Sequence, residues 1–170
     1  MSDQPTLPLD PIAEARRWWV VRGWEEASDG MAAVTSVVRA HQIFMQRIDA
    51  VLRPLDLTFA RYELLMLLSF TRTGALPMAK IGSRLQVHPT SVTSVVDRLE
   101  TQGFVRREQH PQDRRAVLAS ITDEGRQIAE KATAAMNSEV FMRLGLSSSQ
   151  TTTLIDILTD LRSDAGDFKL

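Results

Sequence analysis

The chain contains no cysteine. Disulfides, thiolate metal sites and thiol redox sensing are therefore excluded, and the composition suits a reducing compartment. Histidine is scarce: His41, His88 and His110 are scattered without ligand-like spacing, so they assemble no metal site. There is no glycine-rich phosphate loop and no Ser-His-Asp arrangement, which leaves nothing from which to build an enzyme active site or hold a cofactor. No apolar run approaches the ~20 residues needed to cross a bilayer. The first residues, MSDQPTLPLDP, are too acidic and polar for a secretory signal. The expectation is a cytoplasmic protein that is not an enzyme, carries no cofactor and does not enter a membrane.

What is present is enough apolar residue to build a core. The chain has 170 residues, 44% of them hydrophobic, which suits one domain with helical extensions. Its net charge of −1 conceals an asymmetry. Residues 76–115 carry seven basic and four acidic side chains, a balance of +3, and the remainder of the chain stands at −4. A basic middle in an acidic chain fits a surface that faces phosphates, although a solvated face gives the same composition.

Residues 1–9 hold two prolines and no periodic pattern, and are expected to be disordered. Asp10-Pro11 is a good helix start, a carboxylate cap followed by proline at the first helical position. That helix is expected to run to about Ala27 and stop in Ser28-Asp29-Gly30. Trp18, Trp19 and Trp24 should pack on another surface, since three indoles cannot all be left in water cheaply. A second helix, Met31 to Leu52, has an apolar stripe through Val34, Val37, Val38, His41, Phe44, Met45, Ile48 and Val51, suited to packing on another helix. His41 within that stripe reads as a hydrogen-bonded core residue, with ligand contact as the alternative. A third helix, Phe59 to about Thr73, is capped by Thr58 and is apolar nearly all round, as befits the centre of a fold.

Then comes the stretch richest in function. Met78 to Gln86 is a short helix. Val87 packs at the turn, and His88-Pro89 opens a second helix. Val92, Val95, Val96 and Leu99 form the buried stripe of that helix. Its other faces carry Thr90, Ser91, Thr93, Ser94, Asp97 and Arg98, and the small hydroxylated residues among them allow close approach to another surface. Gly103 ends it. Phe104 to Gln109 and Ala116 to Ile121 read as strands joined by the basic turn Pro111 to Arg115. A helix-turn-helix followed at once by a basic hairpin is the winged-helix arrangement. Thr122-Asp123-Glu124 caps a long helix expected to reach about Leu144. Ser147 and Gln150 form a capping box before a last helix that carries Leu154, Ile157, Leu158 and Leu161. These flanking helices carry more apolar stripe than one small winged helix can cover, which suggests a helical dimer. An intramolecular bundle is the alternative.

Two runs carry a resemblance. One is Val87-His88-Pro89-Thr90-Ser91-Val92-Thr93-Ser94-Val95-Val96-Asp97-Arg98-Leu99-Glu100 with Gly103-Phe104-Val105-Arg106-Arg107. The other is Asp113-Arg114-Arg115-Ala116-Val117-Leu118, leading to Ile121-Thr122-Asp123-Glu124-Gly125. Together they resemble the MarR (multiple antibiotic resistance regulator) family of bacterial winged-helix transcription factors, over roughly Met31 to Leu161.

The resemblance implies a mainly α fold with a small β-wing: a winged helix-turn-helix flanked by N- and C-terminal dimerisation helices. On that basis residues 1–9 form a tail and 10–30 an extra N-terminal helix. Residues 31–57 and 122–170 form the dimerisation region, and 58–121 the DNA-binding domain. It further implies a cytoplasmic homodimer, nucleoid-associated when bound, on a palindromic duplex operator. The helix from Pro89 would enter the major groove and present Thr90, Ser91, Thr93, Ser94 and Arg98. Lys80, Arg84 and Arg106 would position it on phosphates. In the wing, Asp113 would hold the Arg115 fork bidentately, and Arg114 would face phosphate or a narrow minor groove. His88 departs from the small hydroxyl usual at that cap and is a candidate phosphate contact.

Function then divides. A ligand-responsive repressor would bind a small aromatic or phenolic anion near Trp19, Trp24, His41, Phe44, Arg61 and Tyr62. A regulator without a ligand would be controlled by abundance or by a protein partner. A protein–protein module using the same fold is a third reading, one that salt-dependent DNA binding would exclude.

Overall fold

The computed structural model describes residues 7–85, 89–113 and 115–168, with Pro89 and Thr90 described in their backbone alone. Two compact units divide the chain, residues 1–50 and 51–170.

In the first unit, helix α1 spans Pro11–Val21 and helix α2 begins at Glu25 and continues to Leu52 in the second unit. Asp10 caps α1, accepting from the Ile12 N–H at 2.9 Å. The expected stop at Gly30 is wrong, because the break comes earlier, at Gly23. Gly23 takes φ +82°, the left-handed geometry that lacks a Cβ penalty only for glycine. Its N–H donates to the Val20 carbonyl at 3.0 Å, and the Trp24 N–H donates to Trp19 at 2.9 Å. That closes the C-terminus of α1 and frees the chain to restart. Glu25 and Glu26 then occupy the positive first turn of α2, so Ser28 and Gly30 lie inside a helix already begun.

Around this corner Ser28 is buried, Arg16 pairs with Asp29 at 2.6 Å, and Trp19 meets Trp24 edge-on with ring centroids 5.3 Å apart. Within the single chain, which leaves a partner subunit's surface out of account, Trp19 is half-buried. Trp18 and Trp24 remain 55% and 52% exposed. The stripe of α2 is open in its N-terminal part, with Val34, Val37 and Val38 all more than half exposed, whereas Phe44 and Met45 are half-buried and Ile48 is buried. His41 is exposed rather than a core residue, because it lies at the open N-terminal part of that stripe in the single chain.

The second unit holds helices α3 (Phe59–Ser69), α4 (Met78–Leu85), α5 (Pro89–Thr101), α6 (Asp123–Glu139) and α7 (Ser148–Asp164), with strands β1 (Ala75–Pro77), β2 (Val105–Gln109) and β3 (Val117–Ile121). Thr58 caps α3 and accepts from the Arg61 N–H. The helix stops at Ser69, short of the expected Thr73. The Thr71 hydroxyl and N–H both donate to the Leu68 carbonyl and close the turn early. The strands form one antiparallel sheet in the order β1-β3-β2, so β2 is an edge. The core joins Leu64, Leu65 and Leu68 of α3 to Ile81, Val92, Val96 and Leu99 of the helix-turn-helix. Ala129, Ala132 and Met136 of α6 are buried as well.

Gly125 ties α6 to the wing base. A Cβ there would stand 2.1 Å from the Phe104 carbonyl oxygen, so only glycine permits the approach. The Thr122 hydroxyl spans the same junction, donating to Gly103 O at 2.8 Å while capping the Gly125 N–H at 3.0 Å. Helix α6 ends at Glu139, not Leu144; Val140 is buried and a short 3-10 turn, Phe141–Arg143, follows. The capping box of Ser147 and Gln150 is formed in both directions. Helix α7 nevertheless buries none of its residues.

Candidate nucleic-acid interface

Helix α5 divides cleanly between two faces. Val92, Val96 and Leu99 are buried, while Ser91, Thr93, Ser94, Asp97 and Arg98 are exposed. The heptad spacing of the three apolar residues fixes that division, because residues three and four apart share one side of a helix. The outward row is short and polar, which lets the helix backbone come close to base edges. Lys80 and Arg84 lie exposed on α4, one turn apart, with Ile81 buried between them. Their ammonium and guanidinium groups add positive charge beside α5. His88 and Arg114 lie outside the described residues, as do the side chains of Pro89 and Thr90.

The wing is a five-residue antiparallel ladder, from Val105 opposite Ile121 to Gln109 opposite Val117. Its turn is closed by the His110 N–H donating to Ala116 O at 3.0 Å and the Ala116 N–H donating to Asp113 O at 3.0 Å. The expected bidentate grip of Asp113 on the Arg115 guanidinium is not what forms. Asp113 accepts instead from the Arg115 backbone N–H at 2.9 Å, a side-chain-to-backbone turn that shapes the tip and leaves the guanidinium exposed. Arg106, expected to lie on phosphate, pairs with Glu108 two residues along the same strand face. Glu108 also accepts from the Ser120 hydroxyl at 3.2 Å.

Arg107, on the opposite face of β2, was not among the sequence candidates. Its backbone N–H donates to Glu100 Oε1 at 3.0 Å, and its guanidinium reaches Glu100 Oε2 and, at 2.5 Å, Asp97 Oδ1. Burial alone would lower the pKa of this guanidinium. Its hydrogen bonds and charge attraction to Asp97 and Glu100 outweigh that and raise it above the ordinary arginine value. The signal in the sequence was two acids three residues apart on α5 facing a strand two residues beyond a tight turn. A second tether holds the C-terminal end of α5. Gln102 donates to the Asp56 carbonyl at 2.8 Å and accepts from Arg61 at 2.9 Å.

An open groove of about 490 Å³ lies beside the wing, bordered by Arg107, Asp113 and Arg115 of the wing, Thr93 of α5, and Pro77, Met78 and Ala79 where β1 meets α4. Thus the structure brings Thr93, Asp113 and Arg115 together along one concave strip. A second open groove, of about 570 Å³, runs past Asp56, Arg61, Ser94 and Arg98. Of the ligand candidates, Arg61 lines this second groove. Tyr62 is buried, its hydroxyl 3.1 Å from that of Thr133 and its ring stacked on Phe59. Trp19, Trp24, His41 and Phe44 belong to the first unit. Among the described residues no acidic, histidine or cysteine cluster is placed to hold a metal ion, and no helix is long and apolar enough to cross a membrane.

A helix with a polar outward row, a preceding short basic helix and a hairpin beside it define a winged helix-turn-helix DNA-binding protein. The MarR family model matches residues 57–117. The HTH-type transcriptional regulator YhbI of Bacillus subtilis is 32% identical over 106 residues, which cover 61% of this chain and 68% of that protein. The regulator YkoM of the same organism is 45% identical over 73 residues, 43% of this chain and 44% of its own length. Among solved structures, Sco5413, a MarR family transcriptional regulator from Streptomyces coelicolor, is 46% identical with a TM-score of 0.76, covering 84% of this chain and 99% of that one. Sco3205 from the same organism, solved in complex with DNA, is 27% identical with a TM-score of 0.68, covering 78% and 85%. The chain belongs to the MarR family of DNA-binding transcriptional regulators, which are not enzymes.

Proposed function

We propose that the protein is a homodimeric repressor that occupies a palindromic operator and leaves it when a small aromatic or phenolic anion binds. The observation that carries the DNA part is the outward row of α5, Ser91, Thr93, Ser94 and Arg98, with Thr93 sharing one groove with Arg115 of the wing. Arg98 is the candidate for base-edge readout, and Lys80 and Arg84 for phosphate. Arg115 suits a narrow minor groove. Asp113 acts by shaping the turn, and Arg106, paired with Glu108, has its charge partly spent inside the wing.

The apolar side chains of α7 support the dimer. Leu154, Ile155, Ile157 and Leu161 are 36–63% exposed on a helix that buries nothing, more apolar surface than a solvated helix normally leaves uncovered. A second copy would cover it and set the two α5 helices about 34 Å apart, one turn of duplex. The groove lined by Arg61 and Arg98, with Asp56 4.0 Å from Arg61, supports a response to an anion, and the exposed indoles of the first unit separately offer aromatic surface. Such a ligand need only favour the spacing of the two recognition helices that does not match DNA. The site of action is the bacterial cytoplasm.

Selection of duplexes from a random library by the full chain, followed by anisotropy titration at several salt concentrations, tests the reading. Recovery of an inverted repeat with a steep salt dependence is expected, because phosphate neutralisation releases counterions. Failure to enrich any sequence would overturn it. A panel of phenolic acids added to the bound complex tests release; no release by any member favours control by abundance or a protein partner.

A further inference from the structure

Arg107 makes three bonds to two residues of α5, and it makes them from the free edge of the wing. Strand β2 pairs on one side with β3, and its other side has no strand neighbour. The Arg107 N–H points to that open side and is taken by Glu100, as a neighbouring strand would take it. The same carboxylate binds the guanidinium of the same residue, so Glu100 grips backbone and side chain together. Asp97, one turn earlier on α5, holds the other side of the guanidinium fork. A planar fork bound at both ends resists rotation, which a lysine ammonium on a flexible stem does not. The arginine side chain is 27% exposed, intermediate between an open surface pair and a buried one.

We propose that Arg107 is a positioning residue that locks the wing to the recognition helix, so that major-groove and minor-groove contacts are read at one fixed separation. This rests on the DNA-binding reading above. Arg107 touches no base in this scheme. It sets the angle at which Thr93 and Arg115, on either side of the groove it borders, meet the duplex. The clamp also occupies two carboxylates that would otherwise stand as unpaired negative charges on the helix that approaches phosphate.

The test uses the full chain and a duplex selected by the wild-type protein, in two forms. One is intact; the other has one base pair inserted in each half-site between the inner determinants and the outer A·T-rich segment. Wild-type protein should lose tenfold or more in affinity on the inserted duplex, because a rigid unit cannot follow the outer segment. Arg107→Met should bind the intact duplex about tenfold more weakly than wild type and change less than threefold on insertion. Arg107→Lys should fall between the two. Melting curves of each variant establish that the fold is retained.

The triple variant Arg107→Met, Asp97→Asn, Glu100→Gln separates positioning from charge, since it removes the stranded carboxylates too. It should keep the tolerance for insertion. Recovery of wild-type affinity and of the insertion penalty in the triple variant would overturn the inference. So would wild-type behaviour of Arg107→Met, or an equal insertion penalty in both proteins. If the wild-type chain selects no duplex at all, the DNA-binding reading itself fails, a result distinct from these.

Discussion

Helices α5 and α7 begin from similar sequence patterns and end in opposite surroundings. Each carries apolar residues at intervals of three and four and hydroxyl-bearing residues elsewhere. In α5 the apolar side is closed, with Val96 and Leu99 fully buried. In α7 no residue is buried, and Ile155, Ile157 and Leu161 are each more than half exposed. The pattern therefore states that a face requires a partner and does not say where the partner lies. For α5 it is α3 and α4, the two helices that precede it in the chain. For α7 the described residues bury no side chain, although Leu158 is half-covered, and a second copy is the proposed partner. The contrast separates two kinds of residue: those whose loss should unfold the winged unit and those whose loss should leave it folded and alone.

The sharpest way to break that separation is a cavity at the closed face. Leu99→Ala should cost about 2–5 kcal/mol, because a fully buried leucine loses both transfer energy and packing. Urea titration followed by circular dichroism measures it. A loss below about 1 kcal/mol would mean that the face is not closed in solution. At the open face, Ile157→Asp should leave that unfolding midpoint nearly unchanged and weaken self-association on the order of 100-fold, the effect of placing a charge in an apolar contact. Sedimentation velocity across a dilution series reads the second quantity. An unchanged dimer would place the subunit contact elsewhere, and a monomeric wild type would remove it.

A smaller effect is expected at the wing tip. Arg115→Ala should reduce operator affinity at fixed salt by roughly 1–2 kcal/mol, the worth of one groove contact, and leave the dimer intact. Unchanged affinity would show that the wing does not touch the duplex. The tip turn should survive this change, because Asp113 accepts from the Arg115 backbone and not from its guanidinium.

How much of this could be read from the sequence depends on whether the cause was local. The Asp10 and Thr58 caps, the Ser147 box, the strand pair of the wing and the burial of Val92, Val96 and Leu99 on α5 are legible, since each is decided within a few residues; Val95, expected in the same row, is only half-buried. The break at Gly23 was missed because Gly30 sits in an equally plausible stop, Ser-Asp-Gly, and only the tryptophan carbonyls preceding Gly23 show which is used. The early end of α3 depends on one hydroxyl, that of Thr71, competing for a backbone carbonyl. Arg107 was missed for a different reason. Its partners lie on another element, and the spacing from Asp97 and Glu100 acquires meaning only once the turn at Gly103 has folded β2 back along α5. Arg106 and Arg107 are adjacent and alike in sequence. The alternation of a strand sends one to Glu108 and the other to the recognition helix.

The smallest expected effect lies inside the closed region. Glu63 sits on α3 beside Ala60, Leu64, Ile81 and Leu85 around a narrow cleft of the helix-turn-helix. Burial pushes its carboxyl above the ordinary glutamate value of 4.5. A carboxyl whose pKa is raised on folding favours the folded state while protonated, so its contribution is fully present below the unfolded value. That contribution is lost as pH rises through the folded one. At neutral pH the ionised group is therefore a small burden on the helix-turn-helix. Glu63→Gln, which keeps the shape and removes the charge, should raise the melting temperature at pH 7 by about 1–2 °C, a modest shift because the side chain is partly solvated. The gain should shrink as pH falls through the folded value and vanish below the unfolded one, where wild type is protonated in both states. A gain that persists undiminished at low pH would assign the effect to packing. Destabilisation at pH 7 would show that the Glu63 charge has a partner in solution.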